Sequence, residues 1–181
     1  MAAPEAAVSD VAKTRAGKYL TFVLAEESYG LEILKVREII GLMSITAVPR
    51  TPEFVKGVIN LRGKVIPVVD LRLKFGMPEA KHTEETCIIV VQVGAVEMGI
   101  LVDKVSEVLN IQGQHIEDAP SFGTEVNTDF ILGMGKANTK VIILLDISKV
   151  LCGQDMETLV VAAGGPTAPD AADPVSATSG A

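Results

Sequence analysis

An internal repeat constrains the fold of this chain more than any other feature of its sequence. Tyr29-Gly30 matches Met98-Gly99 at an offset of 69 residues, and residues 54–75 match residues 130–151 at an offset of 76. The offset grows because the central loop of the second copy is seven residues longer. Self-similarity of this kind indicates duplicated structural units, here two of about 60 residues each.

Short apolar runs rich in β-branched residues predict that both units are all-β, because such side chains fit a pleated, half-buried surface. Residues 54–75 contain two such runs around the polar turn Arg62-Gly63-Lys64, which predicts a β-hairpin. Residues 19–24 and 87–93 predict the opening strands of the two units. Pro67 cannot donate to a ladder, so its strand is expected at a sheet edge or with a bulge.

Residues 30–40 are expected to form an extended arm. Their apolar positions fit neither strict alternation nor a clean helical stripe, so a helix over 32–40 stays open as an alternative.

Two units this small are expected to share an apolar interface, because each buries too little surface to be stable alone. Small closed barrels are the economical solution for short strands, since closure removes exposed sheet edges. The sequence is 48% hydrophobic but only 4% aromatic, so the core must be aliphatic. A groove is expected between the units, and whether the first strand of one pairs within the other is left open.

The composition predicts one structured domain with a tail at each end. Residues 1–17 and 153–181 have the composition of disordered tails, with a short helix predicted over 154–163. The structured domain is predicted over 18–152, divided into units at roughly 19–80 and 86–152.

Charge and hydropathy exclude several classes of partner and location. The formal net charge of −7 and the few aromatic residues argue against nucleic acid and against an anionic membrane surface. No apolar run approaches the roughly 18 residues that would span a bilayer. The N-terminus lacks the apolar segment of a secretory signal. Cys87 and Cys152 are expected as buried thiols in a reducing cytosol.

Catalytic, cofactor and metal sites are not predicted. The sequence contains neither H-E-x-x-H nor G-x-S-x-G, and its cysteines and histidines lack metal-ligand spacing. Asp70 recurs as Asp146, so both are interpreted as residues that turn the chain at a strand end. Gly57 recurs as Gly133, and each is expected to permit close backbone approach or a bulge. Arg62, in contrast, falls opposite Asn138, which makes the arginine-tipped turn a candidate for function.

Three separated motifs resemble the CheW-type chemotaxis coupling proteins: YG-EILKV-EI at 29–39, TP-F-KGV-NLRG at 51–63 and PVVDLR at 67–72. The second half adds GILVD-VSEVL at 99–109 and ILLDI at 143–147. The resemblance implies two packed, SH3-like, five-stranded barrels without catalytic activity. It also implies a cytoplasmic adaptor, recruited to membrane-associated arrays. There it would bridge the tips of methyl-accepting chemoreceptors to the regulatory domain of the CheA histidine kinase, which has the same fold.

The same resemblance implies two sets of contact residues. The receptor-facing candidates are Val36, Glu38, Gly57, Arg62, Thr86, Cys87 and Ile88. Val36 and Ile88 are expected to form an apolar strip, Gly57 to allow close approach, and Glu38 and Arg62 to pair at the lip of the groove.

The kinase-facing candidates are Leu42, Met43, Ile45 and Phe122. The alternative for the loop residues is that they fold back into the core, and for Phe122 that it covers its own barrel.

One function of another class stays open, a small-molecule-binding or hydrolytic β-barrel protein, because a fold alone does not fix function. A closed pocket lined by titratable groups would favour that alternative. An open and largely apolar groove would favour the adaptor.

Overall fold

The computed structural model describes residues 15–118 and 129–151, and its elements there are almost all β-strands. The strands are β1 (Gly17–Leu24), β2 (Glu27–Glu32), β3 (Val36–Gly41), β4 (Val55–Leu61), β5 (Lys64–Asp70), β6 (Cys87–Val93), β7 (Val96–Val102), β8 (Lys104–Ile111), β9 (Ile116–Glu117), β10 (Ile131–Ala137) and β11 (Lys140–Leu145). Two one-turn helices, α1 (Leu71–Lys74) and α2 (Ile147–Val150), follow β5 and β11, and 3₁₀ turns occupy Ile33–Lys35 and Gly113–His115.

The predicted tails, apart from residues 15–17, lie outside the described residues. Phe122, Cys152 and the helix predicted over 154–163 also lie outside them. Residue Gly17, assigned to the N-terminal tail, begins β1 instead. None of the helices in the described part of the chain is long and apolar enough to cross a membrane.

The strands form two sheets, and each closes on itself. The first has the order β3-β6-β7-β5-β4, and the second has the order β8-β1-β2-β11-β10-β9. Beyond β3 the chain reaches Thr46, which exchanges two backbone hydrogen bonds with Val58 of β4. Beyond β8 it reaches β9, which pairs with β10. The predicted fold of two small packed barrels is confirmed, and they are called here the first barrel (β3–β7) and the second barrel (β1, β2 and β8–β11).

The two repeats exchange hairpins. The β1–β2 hairpin of the first repeat lies in the second barrel, between β8 and a parallel β11. The β6–β7 hairpin of the second repeat lies in the first barrel, between β3 and a parallel β5. The predicted units 19–80 and 86–152 therefore each contribute strands to both barrels. A single residue, Asp103, separates β7 from β8, which is too short for a two-residue hairpin turn, so the chain continues into the other barrel.

Three apolar clusters stabilise this arrangement. One fills the first barrel, one fills the second, and the largest lies between them. In β6 the side chains alternate between two clusters, with Ile88 and Val90 inside the first barrel and Ile89 and Val91 between the barrels. A stack of four rings crosses the interface, with neighbouring centroids 5.5–5.9 Å apart: Phe22, Tyr29, Phe75 and Phe130. The predicted apolar interface is confirmed.

The recurring glycines lie where each barrel closes. Register shifts mark bulges before Gly57 and Gly133, as the repeat predicts. A Cβ on Gly57 would lie 2.0 Å from the carbonyl oxygen of Thr46, and one on Gly133 would lie 2.8 Å from that of Glu117. Both positions therefore require glycine because the closing backbone segment passes directly over them.

The recurring aspartates also have the predicted role. Oδ1 of Asp70 accepts hydrogen bonds from the backbone N–H groups of Arg72 and Leu73, and Asp146 does the same for α2. Each carboxylate thus caps the one-turn helix that follows its strand.

The expectation that Pro67 lies at a sheet edge is wrong, because β5 has a neighbour on each side. The bulge in this hairpin lies in β4, between Val55 and Gly57. The parallel pairing with β7 begins only at Val68, so the ladder does not need the N–H group that proline lacks.

An ion pair joins the two barrels at the β7–β8 crossover. Arg72 of α1 donates from Nε to Oδ1 of Asp103 (2.8 Å) and from Nη2 to Oδ2 (2.6 Å). Asp103 also accepts a hydrogen bond from the backbone N–H of Ala25, in the β1–β2 turn of the second barrel. The arginine holds the pKa of Asp103 below its ordinary value. The pair therefore ties α1 to a turn of the other barrel.

Gly57→Ala is expected to lower the free energy of unfolding by about 3 kcal/mol, because the methyl group would overlap the Thr46 carbonyl and because φ is +140° there. Urea denaturation measures the change. Gly41→Ala is the matched control, since nothing lies within 4 Å of its added Cβ, and it should change the value by less than about 0.5 kcal/mol. Equal losses in both variants would contradict this account of barrel closure.

Arg72→Gln is expected to destabilise the protein by roughly 2 kcal/mol at pH 7, because it leaves a partly buried Asp103 without its cation. Because the pKa of Asp103 is lower in the folded state, its ionised carboxylate stabilises the fold at pH values above its ordinary pKa of 3.8. This stabilisation is lost as the pH falls through the lower folded-state pKa. The difference in the free energy of unfolding between wild type and Arg72→Gln should therefore become smaller below about pH 4, as urea denaturation at each pH would show.

Lys64→Gln is the control, because it removes the Lys64–Glu97 pair, whose lysine is exposed, and it should leave the free energy of unfolding close to that of the wild type.

Candidate functional site

A charged pair connects the tip of the β4–β5 hairpin to β3. The tip is the two-residue turn Arg62-Gly63, with φ of +55° and +86°, as a type I′ hairpin requires. Oδ1 of Asn60 accepts a hydrogen bond from the Gly63 N–H (2.8 Å) and holds the turn. Arg62 then donates from Nη1 and Nη2 to the two carboxylate oxygens of Glu38, at 2.8 and 2.6 Å. The predicted ion pair is confirmed.

The pair is arranged to face outward. The Arg62 side chain is 73% exposed, whereas that of Glu38 is 29% exposed. The hydrogen bonds from Arg62 hold the pKa of Glu38 below its ordinary value, so the carboxylate stays ionised at neutral pH. A guanidinium carries five N–H donors and two bind Glu38, so the exposed face of Arg62 can still donate to a partner.

The second barrel has the same hairpin without the ion pair. Its turn, Asn138-Thr139, also has positive φ angles, and Glu107 occupies the position equivalent to Glu38. Asn138 replaces the arginine, so this hairpin tip offers no guanidinium to the carboxylate. Within residues 15–118 and 129–151, the charged pair is therefore specific to the first barrel.

On the face of β3 opposite to Glu38, an apolar row runs from the core to the surface. It crosses the first sheet through the cross-strand neighbours Ile39, Ile89, Ile100, Val69 and Val55. Its inner members are buried between the barrels, whereas Ile39 at its end is 43% exposed. Val36 lies on the same face and packs at the margin of the inter-barrel cluster. Val36 and Ile39 thus form an outward apolar strip at the edge of the interface.

Ile39 was not among the predicted site residues, and a bulge explains why. The 30–40 arm consists of the end of β2, a 3₁₀ turn and β3, so the helix alternative is reduced to the three residues Ile33–Lys35. Within β3 the register shifts between Val36 and Glu38, which places Val36 and Ile39 on one face although they are three residues apart. The sequence does show two adjacent apolar residues, Ile39 and Ile40, which breaks strict alternation and is a signal for a bulge. Alternation alone does not tell which of the two points outward.

Several of the predicted receptor-facing residues lie below the surface. Ile88 is fully buried inside the first barrel, because it alternates inward with Val90, so its predicted place in an exposed strip is wrong. Gly57 is covered by the Thr46 backbone, so the close approach that it allows is that of its own chain. Thr86 is buried, and its Oγ1 accepts from the backbone N–H of Thr83. Cys87 is half-buried, not fully buried as expected, and packs at the edge of the inter-barrel cluster.

The apolar loop after β3 divides between the two predicted alternatives. Met43 and Ile45 fold back onto the cluster inside the first barrel. Leu42 points outward and is 39% exposed. Phe122, the fourth kinase-facing candidate, lies outside the described residues.

The titratable groups do not gather into a metal site in the part of the chain that the structure describes: residues 15–118 and 129–151 contain no group of three or more His, Cys, Asp or Glu able to hold an ion. His82 and His115 are both exposed. What the site offers chemically is an exposed guanidinium paired with Glu38 of β3, and an apolar strip on the other face of the same strand.

Comparison with known proteins identifies the fold and its family. A family model described as the CheW-like domain matches residues 18–154. The chain belongs to the CheW-like family.

The matches to CheW proteins extend over most of both sequences. The chain is 41% identical to the chemotaxis protein CheW of Klebsiella aerogenes over 152 residues, which is 83% of this chain and 92% of that protein. It is 34% identical to the CheW of Rhizobium meliloti, over 80% of this chain and 98% of that protein. The crystal structure of the scaffolding protein TtCheW from Thermoanaerobacter tengcongensis matches with a TM-score of 0.70 and 39% identity, over 77% of this chain and 95% of that one. The predicted family and the predicted chemotaxis adaptor role of this CheW-like chain are confirmed.

Nuclear magnetic resonance titration of the Glu38 side-chain carboxyl should give a pKa below the ordinary value of 4.5. In Arg62→Ala the pKa should rise, because the hydrogen bonds that favour the ionised form are gone. Lys64→Ala removes a neighbouring cation that pairs with Glu97, and it should leave the Glu38 titration close to that of the wild type. An unchanged Glu38 pKa in Arg62→Ala would mean that the pair does not persist in solution.

Proposed function

We propose that this chain is a non-catalytic adaptor that couples the cytoplasmic tips of methyl-accepting chemoreceptors to the regulatory domain of a CheA-type histidine kinase. The observation that carries the proposal is the Glu38–Arg62 pair, which among the described residues only one of two otherwise equivalent barrels possesses, on the same strand as the Val36–Ile39 strip. Its place of action would be the cytoplasmic side of membrane-associated receptor arrays.

The receptor-facing surface would fit a receptor tip that is a helical hairpin. An amphipathic helix needs an apolar strip for its buried face and a few polar anchors that fix its register. Val36 and Ile39 supply the strip, and the exposed donors of Arg62 supply an anchor. Burial of one large apolar side chain is worth about 1.5–3 kcal/mol, so even a short strip contributes measurably to binding.

The buried candidates support this surface from below. Gly57 lets the Thr46 backbone close against β4, while Ile88 packs beneath β3 inside the first barrel. Thr86 and Cys87 hold the start of β6, which pairs with the end of β3 at Gly41. We propose that these four residues influence receptor binding by holding β3 in place.

The kinase-facing surface would include Leu42, whose outward position favours an interface, and Phe122 of the long second loop. Met43 and Ile45 would hold this loop to the barrel. Two surfaces on one rigid adaptor permit alternation with a kinase domain of the same fold, so that individually weak contacts add up in closed rings and arrays.

The geometry favours binding over catalysis. The hairpin tip of the first barrel differs from that of the second by an exposed arginine. This arginine and the exposed aliphatic side chains of the same barrel suit contact with a protein partner. A hydrolytic or small-molecule-binding role would require convergent titratable groups in a closed pocket. No cofactor is needed for the proposed function.

Arg62→Ala is expected to weaken binding of a receptor cytoplasmic fragment by about tenfold or more, because it removes the exposed donors and leaves Glu38 unpaired at the lip. Its thermal unfolding midpoint should be unchanged within error, since the pair is largely exposed. Co-sedimentation and calorimetry with purified fragments measure both quantities.

Leu42→Ser is the matched variant for the other surface. It should weaken binding to the kinase regulatory domain while receptor binding is retained, and Arg62→Ala should show the opposite pattern. Loss of both partners in both variants, together with lower unfolding midpoints, would contradict two separate surfaces.

A further inference from the structure

Leu34 is the most exposed large hydrophobic side chain in the described part of the chain, with 92% of its surface accessible. It lies at the centre of the 3₁₀ turn Ile33–Lys35, where the chain crosses from β2 of the second barrel to β3 of the first. A single exposed leucine is ordinary on a protein surface. Its surroundings decide whether it has a role.

The turn presents Leu34 from an ordered position. Ile33 on one side and Val36 on the other pack against the inter-barrel cluster. The N–H of Val36 closes the turn by donating to the carbonyl of Ile33. Leu34 is therefore held outward by its neighbours, so little conformational freedom would be lost when a partner covers it.

The repeat supplies an internal comparison for this position. At an offset of 69 residues, the equivalent of Leu34 is Asp103, at the other crossover between the barrels. Asp103 is clamped by Arg72 and by the N–H of Ala25. The fold thus builds one crossover with a carboxylate, so it does not require leucine at the other. Packing gives no reason for Leu34.

Continuity with the proposed receptor surface gives a reason. Leu34 lies two residues before Val36 and four before Glu38, on the same short segment as the apolar strip and the charged pair. Two cationic residues follow Leu34 in this segment, Lys35 directly before Val36 and Arg37 directly after it. Nε of Arg37 donates to the neutral amide of Gln92 (2.9 Å), so this bond leaves its positive charge uncompensated.

We infer that Leu34 is an anchor residue that inserts into an apolar socket with an acidic rim on the receptor's helical hairpin. The inference rests on the proposed function and extends its surface beyond Val36, Ile39 and Arg62 to the crossover turn. The aliphatic side chain fills the socket, and Lys35 and Arg37 meet carboxylates around it.

Leu34→Ser tests the anchor by calorimetry with a purified receptor cytoplasmic fragment. Binding should weaken about tenfold, the loss expected for one large aliphatic side chain that is no longer buried. Leu34→Met keeps an apolar side chain of similar size and should stay within roughly threefold of wild type. Val141→Ser is the matched control, because Val141 is an exposed aliphatic residue on the second barrel, and it should bind like wild type.

The salt dependence of receptor binding tests the pairing of Lys35 and Arg37 with the acidic rim. Replacement of both Lys35 and Arg37 by glutamine should reduce the dependence of receptor binding on salt concentration, because screening acts on exposed charges. An unchanged salt dependence would overturn the acidic rim.

The outcomes separate this inference from the proposed function. Wild-type affinity in Leu34→Ser would overturn the anchor and leave the adaptor proposal intact, provided that Arg62→Ala weakens binding in the same assay. Weaker binding to the kinase regulatory domain instead of the receptor fragment would overturn the choice of partner. Failure of the wild-type protein to bind the fragment would overturn both.

Discussion

The apolar contact between the two barrels is the constraint on which the rest of the structure depends. Each barrel contains a hairpin from the other repeat, and that hairpin has one face in a barrel interior and the other in the shared cluster. This is why β6 is apolar on both faces. The two repeats cannot separate unless β5 leaves β7 and β2 leaves β11. The shared cluster and the chain crossovers hold surfaces on the two barrels in a fixed relation, as an adaptor that contacts two partners at once requires.

The duplication separates what the fold requires from what it merely permits. The row from Ile39 to Val55 has a position-by-position equivalent in the second barrel, which runs from Val108 through Leu20, Leu31 and Leu145 to Ile131. Both rows end in an exposed aliphatic residue, so the apolar edge belongs to the fold. The two barrels differ in the side chains at the hairpin tip and at the crossover, and those differences mark the first barrel for its own interactions.

Much of this could be predicted from the sequence because the two copies check each other. Recurrence assigned Asp70 and Asp146 to strand ends and linked Gly57 and Gly133 to close backbone approach, and the structure agrees. The exchange of whole hairpins could not be predicted, since an apolar strand does not specify which barrel it completes. Ile39 was missed because a bulge in β3 changes which side chains face outward, and periodicity does not reveal bulges. Ile88 was misplaced because β6 is apolar on both faces, so its sequence does not tell which side chains face the barrel interior.

The local conformation of Arg62 argues that its side chain has an outward role. Its φ of +55° lies in the left-handed region, where asparagine is several-fold enriched, and the second barrel has Asn138 there at +47°. An arginine in the first turn is thus the locally less favoured choice. The fold does not need it to neutralise the carboxylate on the neighbouring strand, because Glu107 stands in the second barrel without an arginine opposite it. A residue that neither the turn nor the carboxylate requires, and that is held with most of its surface exposed, is best explained by what it contacts outside the molecule.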